Sequence, residues 1–206
     1  MERFLAADEG KRVRIINAAM KEFRYGFKRA STDTIVRDAG ISKGLLFHYF
    51  GTKETLYEFV VEFAVETLQK DFYDMVNFGQ SDIIENIWQQ ALLRRDISDK
   101  YPYIYDFITA VHTQAKDNSA SVAFLTEVYA QVGQNMLNFA YDRCDRTLFR
   151  ADIDPRKAIT LIIWGVNGLF EEVERRMLTH GDTDSYDVFL EELREYLNTF
   201  RKGFYK

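Results

Sequence analysis

Apolar residues recur at steps of three and four along nearly the whole 206-residue sequence, and this period restricts the chain to a helical fold. Ile16, Met20 and Phe23 follow the spacing near the beginning, and the same spacing returns from Phe189 to Phe204. No stretch alternates apolar and polar residues as a half-buried strand does, and the 2 prolines leave the helical pattern almost unbroken. The sequence therefore predicts an all-α protein.

Capping signals divide this pattern into separate helices. Thr32, Ser42 and Thr52 are predicted to cap three consecutive helices, the last of which is predicted to reach Met75. Asp154-Pro155 predicts the start of a later helix, because an acidic cap followed by proline suits a first helical turn.

Charge is distributed unevenly along the chain, although the formal net charge is only −5. Residues 1–53 contain 11 Lys/Arg and 6 Asp/Glu, a net of +5, whereas residues 54–206 contain 16 Lys/Arg and 26 Asp/Glu, a net of −10. A basic segment joined to an acidic body is typical of a phosphate-binding module fused to a second domain. Two solvated surfaces of different sign would give the same numbers, so charge alone leaves both interpretations open.

Residues 31–50 have the pattern of two short helices joined by a glycine-containing turn. Gly40 lies where the chain must turn sharply, and Lys43-Gly44-Leu45 forms the first turn of the second helix. In a helix-turn-helix, that second helix enters the major groove and contacts bases with its first turn. The bare pattern has low specificity, because any short helical pair with a glycine turn matches it.

The longer string STDTIVRDAGISKGLLFHYFGTKETLY, from Ser31 to Tyr57, resembles the DNA-binding head of the TetR/AcrR family of transcriptional regulators. The matching residues are Thr32, Ile35, Ala39-Gly40-Ile41-Ser42, Gly44, Tyr49-Phe50 and Lys53. Phe47 departs from the family pattern, in which tyrosine is commoner. The resemblance implies a three-helix helix-turn-helix DNA-binding domain at residues 1–53, with the motif at 31–50. It also implies a larger helical effector-binding and dimerisation domain at residues 54–206.

Polar and glycine residues around the motif are candidates for DNA contacts. We expect Lys43 to contact bases, whereas Lys53 begins the next helix and is expected to contact phosphate. Solvated lysines at both positions and a half-buried His48 are the alternatives. The residues predicted to bind DNA are Thr32, Lys43, Gly44, Leu45, Phe47, His48, Tyr49 and Lys53.

Phe, Tyr and Trp account for 31 of the 206 residues, and many lie in the middle helices beside Gln and Asn. This mixture describes either a packed aromatic core or a small-molecule pocket, and the family resemblance favours a pocket for a hydrophobic or aromatic effector. The predicted pocket residues are Trp88, Phe107, His112, Phe124, Asn135, Trp164 and Asn167. A lone histidine such as His112 is also typical of a structural role.

The last two helices have more apolar surface than a chain of this length can hide, which predicts a two-fold partner. The predicted interface residues are Ile162, Val166, Phe170, Phe189, Leu193, Tyr196 and Phe200. A homodimer would present two heads one helical turn apart, which suits a palindromic operator.

The sequence thus predicts a ligand-responsive DNA-binding transcriptional regulator, a repressor released from its operator by a small hydrophobic effector. The alternative is a helical small-molecule binding or scaffold protein without DNA binding. No enzyme, cofactor or metal is predicted, because no catalytic constellation or phosphate loop occurs and the single Cys144 cannot build a cysteine zinc cluster. No apolar run approaches the ~20 residues of a membrane span, and the beginning lacks a signal-peptide core, so a cytoplasmic location is predicted.

Overall fold

The computed structural model describes residues 2–73, 75, 81–114, 139–180 and 186–206. Its α-helices are α1 (Glu2–Leu5), α2 (Glu9–Phe23), α3 (Thr32–Ala39), α4 (Lys43–Phe50), α5 (Lys53–Leu68), α6 (Ile83–Lys100), α7 (Ile104–Gln114), α8 (Pro155–His180) and α9 (Tyr186–Phe204). Within the described ranges the only strand-like pairing is the isolated bridge between Phe149 and Tyr205, so the all-α prediction is confirmed. None of the described helices is long and apolar enough to cross a membrane.

Side-chain caps begin the helices of the motif. The Ser42 Oγ accepts a hydrogen bond from the Leu45 amide at 3.1 Å, and the Thr52 Oγ1 accepts one from the Thr55 amide at 3.1 Å, as predicted. The prediction for Thr32 is wrong by one residue. Ser31 has the extended backbone of a cap and its Oγ accepts from the amide of Thr34, so Thr32 is the first residue of α3.

Two further helix boundaries differ in how well the sequence predicts them. Asp154 caps α8 through the amide of Arg156, and Pro155 is the first helical residue, as the sequence indicates. The α-helical geometry of α5 ends at Leu68, before the predicted Met75, and the chain continues as a turn of π-helix over Gln69–Tyr73.

The chain divides into two compact units, of which the first comprises Met1–Asp74 and Asp96–Gln131. Its core forms where the apolar faces of the motif helices meet α2, α5 and α7. The largest fully buried side chains there include Phe4, Met20, Phe23, Ile35, Leu46, Leu56 and Phe107. Burial of these residues fixes the helix-turn-helix on α2 and α5, so its outer face is presented by a rigid support.

The second unit comprises Met75–Arg95 and Val132–Lys206. Its core lies between α8, α9 and the first part of α6. Gly165 lets the two helices approach, because a Cβ built there would come closer than 3.0 Å to Cζ of Phe200 on α9. At the start of α6, Asp82 caps the helix through the amides of Ile84 and Glu85 and accepts a 2.7 Å hydrogen bond from the Tyr205 hydroxyl.

Candidate nucleic-acid interface

The second helix of the motif, α4, has one buried and one exposed face. Leu46 and Phe50 are buried in the first unit and hold the helix in place. Lys43, Gly44 and His48 are exposed, and three other predicted DNA-binding residues are half-buried: Leu45, Phe47 and Tyr49. The structure therefore brings the predicted polar contacts of α4 together on the side that faces away from the core.

Gly40 makes the turn between α3 and α4 with a positive φ of 66°, a conformation that favours glycine. Across this turn, the Lys43 Nζ lies 2.9 Å from Oδ1 of Asp33, and both side chains are more than half exposed. An exposed ion pair of this kind is worth only about 0.2–1 kcal/mol. The pair holds the Lys43 ammonium group between α3 and α4. Because the pair is weak, a stronger acceptor such as a phosphate or a base edge can replace the Asp33 carboxylate at little cost in free energy.

The N-terminal helix α1 reaches the same surface, which the sequence did not predict. Phe4 is 0% exposed, and its ring lies 5.6 Å from that of Tyr49 and 4.8 Å from that of Phe50 between centroids. This anchor places the exposed Arg3 beside α4, where its guanidinium donates a 3.2 Å hydrogen bond to the Nε2 of His48. The signal in the sequence is a single aromatic residue, Phe4, among the first few positions.

The contact from Arg3 has a chemical consequence for His48. A guanidinium group has donors and no acceptor, so the Nε2 of His48 must accept and the neutral ring must hold its proton on Nδ1. His48 thereby has a hydrogen-bond donor available for a phosphate oxygen or a base edge. Arg3 itself has further N–H groups, which suit phosphate.

Thr32 and Lys53 lie at the starts of α3 and α5, respectively. Both side chains are half-buried, and the Lys53 Nζ lies 4.6 Å from the ring centroid of Phe27. A cation held over a ring face is attracted to the ring, which restrains its position. Lys53 is therefore a fixed positive charge at the beginning of a helix whose dipole has the same sign.

Polar contacts fasten α2 to the last residue of α6 and to α7, within the first unit. The Lys100 Nζ donates to Glu9 at 3.0 Å, which lowers the pKa of Glu9, and the Asn17 side chain donates to the carbonyl of Lys100. Arg24 pairs with Asp106 at 3.2 Å. The helix behind the motif is thus tied to α7 as well as to α3.

The predicted effector residues fall in both units. Phe107 is fully buried in the first unit, where its ring packs against Phe23 and Tyr57, and His112 is exposed on α7. Trp88, Trp164 and Asn167 belong to the second unit, and Phe124 and Asn135 lie outside the described residues. Phe107 is accordingly a core residue of the first unit, and the described members of the set are divided between the two units.

The residues predicted to form the dimer interface differ in how far their side chains are buried. Ile162, Val166, Phe189 and Leu193 are buried inside the second unit of a single chain, so these four have no surface to offer a partner. Phe170 and Phe200 are half-buried, and Tyr196 is 48% exposed. The exposed apolar residues of α8 are instead Leu161, at 48%, and Trp164, at 67%.

A cleft of about 510 Å³ opens in the second unit. It is lined by Tyr141, Arg156, Lys157, Thr160, Leu161 and Trp164. Of these residues only Trp164 was predicted to contact a ligand. Elsewhere in the described ranges no group of three or more His, Cys, Asp or Glu side chains could hold a metal ion.

Comparisons with known proteins agree with the geometry of the first unit. Residues 15–60 match the sequence model of the family described as "Bacterial regulatory proteins, tetR family". No curated protein matches the chain.

Solved structures extend the similarity to the fold of nearly the whole chain. A TetR family transcriptional regulator from Chloroflexus aurantiacus is 15% identical with a TM-score of 0.53, covering 100% of this chain and 98% of its own. A TetR-like transcriptional regulator from a Rhodococcus species is 18% identical with a TM-score of 0.55, covering 94% and 96%. A gamma-butyrolactone receptor described as ArpA-like is also 18% identical with a TM-score of 0.55, covering 93% and 98%. At these identities the similarity concerns the fold alone.

Proposed function

We propose that the chain is a DNA-binding transcriptional regulator of the tetR family, and that it is a homodimeric repressor that a small hydrophobic effector releases from a palindromic operator. The observation that supports DNA reading most directly is the outer face of α4. There Lys43, Gly44 and His48 are exposed while Leu46 and Phe50 hold the helix in the core. A short rigid helix with a polar first turn is what the major groove accepts.

Selection of bound duplexes from a random library tests this proposal. A homodimeric regulator selects a palindrome whose half-sites lie one helical turn apart, and its affinity falls steeply with salt because phosphate contacts release counterions. The alternative, a helical small-molecule binding or scaffold protein, enriches no sequence and shows no salt-dependent binding to duplex DNA.

Two lysine variants separate base reading from phosphate binding. Lys43→Ala removes the cation of the first turn of α4. We expect the variant to lose base preference at one position of each half-site, with a loss of about 1–3 kcal/mol in the free energy of DNA binding. Lys53→Ala removes the charge held over Phe27, and we expect weaker binding to all sequences with a shallower salt dependence. If both variants lose only sequence-independent affinity, Lys43 does not read bases.

The effector part of the proposal rests on differential affinity. A ligand that prefers the form with low DNA affinity weakens operator binding, and a coupling of ~1–3 kcal/mol corresponds to a factor of roughly 5–150. Operator DNA must weaken ligand binding by the same factor. Because Trp88 and Trp164 are the only tryptophans, their fluorescence reports ligands of the second unit. A panel of hydrophobic acids and lactones, titrated with and without operator, tests the reciprocity, and a ligand that quenches fluorescence without changing operator affinity contradicts the switch.

A further inference from the structure

The helix-turn-helix carries an acidic side chain beside the basic group that is expected to contact bases. Residues 31–50 contain two carboxylates, those of Asp33 and Asp38. Asp38 serves the fold, because its side chain is only 22% exposed and accepts a 2.9 Å hydrogen bond from Lys21 of α2. Asp33 is 73% exposed in the first turn of α3, and its carboxylate pairs with Lys43. A carboxylate at this place is repelled by the phosphates of a duplex, so the surface carries it at a cost to DNA affinity.

The stability of α3 offers one explanation for Asp33. A carboxylate in the first turn interacts favourably with the helix dipole. Ser31 already caps the helix through the amide of Thr34, however, and an exposed ion pair adds little to stability. In this structural role Asp33 would have no influence on which bases the protein prefers, and that is a measurable difference from the role argued below.

The ion pair bridges the first turns of the two motif helices. The Lys43 Nζ lies 2.9 Å from the Asp33 Oδ1, and both side chains are exposed. Gly44 follows Lys43 in α4, and a Cβ built on this glycine would have open space around it, with the Ser42 Oγ 4.0 Å away. The backbone beside the pair is therefore open to the close approach of a ligand.

The spacing of the two charged groups matches the major-groove edge of a G·C base pair. Guanine presents acceptors at N7 and O6, and cytosine presents a donor at N4. The O6 and N4 atoms are joined by an N–H···O hydrogen bond and so lie about 2.9 Å apart, the separation that the Lys43 Nζ and the Asp33 Oδ1 have. Because an ammonium group has three N–H donors, Lys43 can keep its bond to Asp33 and still donate to guanine.

The other three base pairs fit this pair of side chains less well. A T·A pair in the same orientation also offers an acceptor and a donor, but it sets a methyl group beside the acceptor and adenine N7 beside the donor. Lys43 would then lose one of its two acceptors, and the Asp33 carboxylate would face a second acceptor. C·G and A·T pairs place the amino group opposite the ammonium, so both contacts would be repulsive.

We propose that Asp33 and Lys43 together read one G·C pair in each half-site, with the ammonium group on guanine O6 and N7 and the carboxylate on cytosine N4. The proposal rests on the DNA binding of the proposed function. It adds a second specificity residue to that function and names the base pair that the two residues select.

Parallel selections from a random duplex library, with wild type, Asp33→Ala and Asp33→Asn, test the proposal. Wild type should select G·C at one position of each half-site. Asp33→Ala should lower the preference for G·C over T·A there by about 10-fold, measured as the ratio of two dissociation constants by fluorescence anisotropy. The same variant should bind unrelated duplexes more tightly, because a negative charge is gone. An asparagine amide donates to N7 and accepts from N6 of adenine, so Asp33→Asn should shift this position toward T·A, with adenine in place of cytosine.

Asp38→Asn is the matched control, because it neutralises the other carboxylate of the motif at a site that contacts Lys21 of α2. This variant should leave the selected sequence unchanged. All selections are made at a temperature at which circular dichroism shows each variant to be folded.

The outcomes separate this proposal from the broader one. A palindrome whose preferred bases are the same for wild type and both Asp33 variants overturns the reading by Asp33 and leaves the DNA-binding regulator standing. The reading is also overturned if Asp38→Asn shifts the same position, or if Lys43→Ala and Asp33→Asn alter different positions. A wild-type chain that enriches no sequence overturns both proposals.

Discussion

Gly165 is the position in α8 where one added methyl group should most damage packing within the protomer. A Cβ at this position would lie closer than 3.0 Å to Cζ of Phe200 and 3.2 Å from its Cε2. The Phe200 ring is half-buried and stacked on Phe204 at 6.0 Å between centroids, so it has limited room to move away. Gly165→Ala therefore forces two packed helices apart or distorts the ring.

Two opposing effects set the magnitude. Alanine is favoured over glycine inside a helix by about 1 kcal/mol. Inserting a methyl group into a packed contact costs about 1–3 kcal/mol. We expect Gly165→Ala to lower the free energy of unfolding by up to about 2 kcal/mol despite its better helix propensity. Gly203→Ala in α9 is the matched control, because a Cβ there meets nothing within 4 Å, and it should be neutral or stabilising.

Urea denaturation at one fixed protein concentration measures both variants, since the apparent stability of any protein that self-associates depends on concentration. Adding Phe200→Leu to Gly165→Ala replaces the ring by a shorter side chain that lacks Cζ and Cε2. The double variant should therefore recover part of the lost free energy of unfolding. Equal stability of the Gly165→Ala and Gly203→Ala proteins, or no recovery in the double variant, would refute the close approach of α8 and α9 at this point.

Three further predictions concern the head and the buried thiol. Arg3→Ala should weaken DNA binding without lowering stability, because its exposed side chain orients His48 and offers N–H groups to phosphate but packs into no core. Nitrogen NMR of the histidine ring should show the loss of the Nδ1–H tautomer preference. The hydrogen bond from Lys21 lowers the pKa of Asp38, so its stabilising effect is complete above about pH 4 and is lost as the pH falls through the lowered pKa. The stability difference between wild type and Asp38→Asn should accordingly vanish in acid, and a constant difference would contradict the ion pair. Burial raises the pKa of the Cys144 thiol, so a disulfide reagent at neutral pH should react slowly with the native protein and rapidly in denaturant.

The sequence predicts local features of this protein well because their causes lie within a few residues. The caps at Ser42 and Thr52 and the start of α8 at Asp154-Pro155 depend on a side chain and an amide two or three residues away. Ser31 and Thr32 are both good caps, and only the backbone conformation decides between them. The end of α5 at Leu68 has no comparable signal, because the apolar period continues beyond it.

Long-range features are harder to predict because periodicity does not state what covers an apolar face. Leu193 and Trp164 both belong to apolar faces of the last two helices, yet one is buried in its own chain and the other is 67% exposed. Phe107 likewise fits an aromatic pocket by composition, whereas in the structure it packs into the core behind the DNA-binding motif. The contact between Arg3 and His48 spans 45 positions and leaves no pattern in the sequence.

The bond between Tyr205 and Asp82 bears on the order in which the chain can fold as it is synthesised. These residues are 123 positions apart, and Asp82 also pairs with Arg201 at 3.1 Å. The second unit therefore cannot complete this contact until Tyr205 has left the ribosome, whereas α2 to α5 make their mutual contacts within a short stretch of chain. Contacts that close long loops form late and slowly, and the surfaces they cover are exposed to aggregation until then. Ribosomes that stall shortly before Tyr205 should accordingly carry a formed helix-turn-helix and a second unit that lacks its contacts to Asp82.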